Sequence, residues 1–108
     1  MVDEFADIVV RKVALLETMI REFTGTAAYL AREVAIEEER TRIKDPTHVA
    51  YSTLAKALAM RRANLLMSAA DAETRLLEAR REARARASNS AGAMEDLEKA
   101  SSPAHRPA

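Results

Sequence analysis

RIKDPTHVAYS, Arg42 to Ser52, interrupts a chain whose pattern is otherwise helical. It gathers a proline, a histidine and a tyrosine between two long stretches rich in Ala, Glu, Arg and Leu. Asp45-Pro46 carries the signature of a helix start. An Asp carboxylate accepts an orphan backbone N–H at an N-cap, and Pro at the first helical position gives up no needed donor. The proline also disfavours helical geometry at Asp45, which helps to stop whatever helix precedes it. The stretch is therefore expected to join two helices.

Upstream, Val2, Ala6, Val9, Val13, Leu16, Ile20, Phe23, Ala27, Leu30 and Val34 alternate spacings of four and three. That is a heptad seam, with charge on most of the opposite face. The pattern weakens at EEER, Glu37 to Arg40, and the first helix is expected over about 3–42. Downstream, a second helix is expected over 46–87. Its seam holds Tyr51, Leu54 or Ala55, Leu58, Arg62, Leu65, Ala69, Ala72, Leu76, Ala79 and Ala83.

A short connection makes the two helices antiparallel neighbours, so facing residues should have a constant positional sum. Val34 with Leu54, Leu30 with Leu58 and Leu16 with Ala72 each give 88; Val13 with Leu76 gives 89. Half of that sum falls at Lys44, which places the turn there. The expected fold is all-α: an antiparallel coiled-coil hairpin over 1–87. A flexible tail over 88–108 is expected from its Ser, Gly, Ala and Pro, with AMEDLEKA able to form a helical turn or two. Gly25, inside the first helix, marks either a bend or close contact, or else a tolerated weak point.

With 108 residues the chain is one small domain. Seventeen basic and seventeen acidic residues cancel, so no net field draws it to nucleic acid or an acidic membrane. There is no cysteine for a disulfide or thiolate metal site. The opening MVDEFADIVVRKV has no long apolar run, unlike a signal peptide or membrane span. His48 and His105 lie in different segments and make a poor metal site. No phosphate-binding glycine loop or nucleophile elbow is present, and the seams lack the inward Glu-x-x-His pairs of a metal bundle. Neither an enzymatic activity nor a cofactor is expected. The adjacent carboxylates of EEER read as solvated charge.

Charge separates along the chain: residues 1–45 carry a net −3 and residues 46–87 a net +4. RLLEARREARARAS, Arg75 to Ser88, concentrates the positive charge near the open end. Arg80, Arg81, Arg84 and Arg86 could meet an acidic protein surface, the alternative being a solvated face shared with Glu78 and Glu82. Nucleic acid is the weaker partner, because no reading fold or stacking aromatics accompany these arginines. Val10, Leu15, Met19, Met60, Leu66, Met67 and Leu77 flank the seams as apolar edges suited to a partner or a second copy. At the tip, His48 is expected in the first turn of the second helix, and Tyr51 is expected to pack with Ile43.

LETMIREFTGTAAYLAREVAIEEERTRIKDPTHVAYSTLAKALAMRRANLLMSAADAETRLLEA, Leu16 to Ala79, resembles the FliJ family of flagellar type III export proteins in its alphaproteobacterial form. The core of the likeness is EEERTRIKDPTHVAYSTLAKA followed by RRANLLMS. In that pattern Gly often stands where Arg42 is and Pro where Ser52 is, and the start VDEFADIVVRKV matches only loosely. The resemblance implies a non-enzymatic antiparallel coiled coil similar to the central stalk of rotary ATPases. It implies a cytoplasmic place at the base of the flagellar export apparatus, reaching the membrane only through protein partners. Those partners would be the hexameric export ATPase, the export gate protein and export chaperones. By analogy with the stalk, the open end carrying Arg80 to Arg86 would contact the ATPase. The tip residues Lys44, Asp45, Pro46, His48 and Tyr51 carry the most recognisable part of the pattern. The rival reading is a structural or chaperone-like coiled coil that dimerises into a four-helix bundle.

Overall fold

In a computed structural model, the described residues, 4–101, form two helices joined by one loop. α1 spans Glu4–Thr41 and α2 spans Thr53–Ser101. α1 packs antiparallel against α2 as far as about residue 87, and the whole is a rod of 92 × 22 × 15 Å. Its radius of gyration, 25.3 Å, is about twice the ~13 Å of a compact domain of this length.

The seam holds in the expected register. Leu16, Ala72, Leu76 and Ala79 are buried together, with Val13, Met19, Ile20 and Phe23 packed against them. Val9, Ala27, Leu30 and Ala69 extend the buried line. α1 contributes most of the large side chains and α2 mostly alanines, so knobs from one helix seat against the near-bare backbone of the other. At the other end of the rod, Ser52 bonds Glu37 and Tyr51 bonds Glu38, each pair giving the positional sum 89. The register therefore runs unbroken to the tip.

Two seam positions differ from the sequence expectation. Ala55 is fully buried and Leu54 is 56% exposed. The α2 N-terminus closes tightly on the last turn of α1, where an alanine fits and a leucine would not. Arg62 is exposed rather than in the seam, as a guanidinium without a partner would be costly to bury. Gly25 is on the exposed side, and nothing lies within 4 Å of where a Cβ would stand. It is a tolerated weak point, with no close contact to justify it.

The helix boundaries also differ. α2 starts at Thr53, not Pro46. Asp45 does cap, but it caps a turn: its Oδ1 accepts the Thr47 N–H at 2.9 Å and the Thr47 hydroxyl at 2.7 Å. Its carbonyl accepts the His48 N–H at 3.0 Å. Asp at the first position and Pro at the second also fit a type I turn, so the same dipeptide serves either structure. His48 lies in this loop, where its Nδ1 accepts the Ala50 N–H at 2.9 Å and its carbonyl the Tyr51 N–H at 3.0 Å. These local bonds use donors that a helix would need.

Ser52 is the true N-cap: its Oγ accepts the Ala55 N–H at 3.1 Å and its carbonyl the Lys56 N–H at 3.0 Å. At the other boundary, Arg42 adopts φ 63°, the left-handed conformation that ends many helices and favours glycine. α2 continues past the expected end at 87 to Ser101. Residues beyond 88 have no α1 position opposite them in this register, and their Ala, Met, Glu, Leu and Lys are good helix formers on their own. The remainder of the expected tail, 102–108 with His105, lies outside the described residues.

Candidate protein-interaction site

Exposed charged and apolar side chains gather at the tip and near the open end of the hairpin. At the tip, Glu37 is buried, although EEER reads as solvated charge. Its Oε1 accepts Arg40 Nη2 at 2.6 Å and Ser52 Oγ at 2.9 Å, and its Oε2 accepts Arg40 Nε at 3.0 Å. The Arg40 fork, followed by the Ser52 hydroxyl, lowers the Glu37 pKa from 4.5 to about 2. Ser52 thus donates to Glu37 on α1 while accepting from Ala55 on α2. One hydroxyl ties the end of one helix to the start of the other, and the carboxylate sits at the positive end of α2. Sequence spacing alone points to Glu37 only weakly. It falls one heptad step past Leu30, on the seam, which was the available signal.

Tyr51 crosses to α1 and donates to Glu38 Oε2 at 2.9 Å. Burial, then that carboxylate, raises its phenol pKa. Hydrogen bonds from the Thr47 side chain and backbone lower the Asp45 pKa. Lys44 is exposed and pairs with Glu39 at 3.7 Å. Pro46, His48 and Val49 form the exposed crown, with Val49 99% accessible. The tip residues come together in one loop, with hydrogen bonds at Asp45, His48 and Tyr51.

At the open end the four arginines do not form one patch. Arg80 reaches across to Glu17 at 3.8 Å. Arg86 continues the α2 seam three residues past Ala83. It lies over the Phe5 ring at 5.0 Å from the centroid and pairs with Glu82 at 3.6 Å. Arg81 and Arg84 are exposed and make no ion pair among the described residues. Arg80 and Arg84 flank a shallow groove of about 370 Å³ floored by Val10, Val13 and Ala83. An apolar floor beside two guanidinium groups suits an amphipathic segment with acidic residues. A second groove, of about 570 Å³, lies between the helices nearer the middle, lined by Leu15, Leu16, Met19, Phe23 and Met67 among others.

Among the described residues, no three His, Cys, Asp or Glu side chains come together as a metal site. Among the described residues, no helix is long and apolar enough to cross a membrane. No family model, no curated protein and no solved structure matches the chain.

Proposed function

We propose that the chain is a non-enzymatic stalk and coupling component of a flagellar type III protein export apparatus, acting in the cytoplasm by binding other proteins. The observation that carries this reading is the rod itself. It is 92 Å long and 22 × 15 Å across, with exposed charged and apolar side chains at the tip and near the open end of the hairpin. A shaft seated in a ring needs length, a narrow section and a charged surface, and it needs no pocket for chemistry. The resemblance around the tip supplies the particular machine. In this reading the open end enters the export ATPase ring, with Arg80, Arg81 and Arg84 meeting acidic side chains of the pore. The export gate and export chaperones are the further partners.

The test is co-purification of the full chain with a hexameric export ATPase and measurement of ATPase stimulation. Replacing Arg80, Arg81 and Arg84 together by Glu should abolish stimulation while helicity by circular dichroism is kept. Arg86 is left intact because it packs on Phe5. Wild-type binding and stimulation by the triple variant would remove the arginines from the contact. Failure of the unaltered chain to bind any export ATPase would overturn the stalk reading.

A further inference from the structure

α1 carries a second apolar row beside its buried seam. Ile8, Leu15, Tyr29 and Ile36 are spaced at multiples of seven and are 52–60% exposed, with Glu22 at the vacant heptad step. Lys12, Met19, Thr26 and Glu33 alternate with them along the same side of the helix. Four apolar residues recurring at one heptad position supply half of a helix-pairing seam, and α2 leaves each of the four more than half exposed.

From this row we infer that the hairpin forms a homodimer in which α1 packs antiparallel against α1 of a second copy, about a two-fold axis at Glu22. An antiparallel pairing centred there sets Ile8 against Ile36 and Leu15 against Tyr29 of the second copy. Lys12 faces Glu33, and neither makes an ion pair in the monomer among the described residues. A parallel pairing would instead set Lys12 on Lys12 and Glu33 on Glu33. The antiparallel arrangement places each Tyr29 ring at the level of Leu15, beside the 570 Å³ groove that Met19, Phe23 and Met67 line. An aromatic anchor beside an apolar groove is a common centre of interface energy.

The exposed area of the rod is large enough to give up a dimer interface, and the Lys12–Glu33 complementarity selects a second copy as the occupant. The chain exposes 8612 Å², against about 6,000 Å² for a compact monomer of 11.9 kDa. The excess is roughly 2,600 Å², part of it from the unpaired end of α2. A standard interface removes only about 800 Å² from each partner. Zero net charge leaves no global repulsion between copies. The row lies on the opposite side of the hairpin from the Val10–Arg84 groove, so the dimer does not depend on the export reading.

Sedimentation equilibrium of the full chain should show mass rising from 11.9 kDa toward twice that value across the micromolar range. Leu15→Asp or Tyr29→Asp should leave a helical monomer. Lys12→Glu and Glu33→Lys should each weaken the dimer roughly tenfold, and together restore it. Glu22→Leu should tighten it, by removing a like-charge pair at the axis. The chain has no cysteine, so Glu22→Cys under mild oxidation should give a single disulfide-linked dimer. A chain that stays monomeric throughout, or a dimer indifferent to Leu15→Asp and Tyr29→Asp, overturns the proposal. So does a charge exchange that fails to restore association. Loss of ATPase binding with the dimer intact would bear on the stalk alone.

Discussion

Glu37 is the residue on which the tip depends. Its folded pKa of about 2 lies below the ordinary 4.5, so the charged form is favoured by folding. The stabilisation is complete above about pH 4.5 and is lost as pH falls toward and through 2. Thermal melts followed by circular dichroism should lose stability across that window, and Glu37→Gln should remove this part of the slope. An unchanged slope in the variant would assign it to other carboxylates. Gly25 offers the opposite case. Its exposed mid-helix position has open space around it, so Gly25→Ala should stabilise the hairpin by about 1 kcal/mol. A lower melting temperature in that variant would point to a hidden contact.

Among the elements, α2 is where sequence and structure part. Asp45-Pro46 and Ser52 both offer a capping oxygen, and only the folded register decides between them. Ser52→Ala should cost about 1 kcal/mol or more, because it removes a cap and a bond to Glu37 together. Asp45→Ala should loosen the loop and leave helix content unchanged. Amide exchange at Ala55 and Lys56 separates the outcomes: faster in the serine variant, unaltered in the aspartate variant. The seam was legible because Val13, Leu16, Ile20 and Phe23 repeat a strong period that no loop imitates. The choice of Ala55 over Leu54 was not, since hydrophobicity favours the leucine and only the close approach at the tip selects the alanine. Glu37 was obscured by its charged neighbours, of which Glu39 and Arg40 are exposed. At the open end, Arg86 looked like its fellow arginines until its seam position put it on Phe5.

At the scale of the whole molecule, shape is the property that function draws on. Small-angle scattering from a dilute monomer should give a radius of gyration near 25 Å, and a value near 13 Å would exclude the extended hairpin. The rod has one narrow layer of core, densest around Leu16, Ala72, Leu76 and Ala79. α1 begins and the paired part of α2 finishes at the same end, with the polypeptide doubling back only at the tip. Tension that draws the two helices apart at that end therefore falls on one seam pair at a time. Under such a load the helices would peel apart like a zipper, where elements pulled from opposite ends would resist in shear. Arg86 on Phe5 and Arg80 on Glu17 stand at or near the first teeth of that zipper.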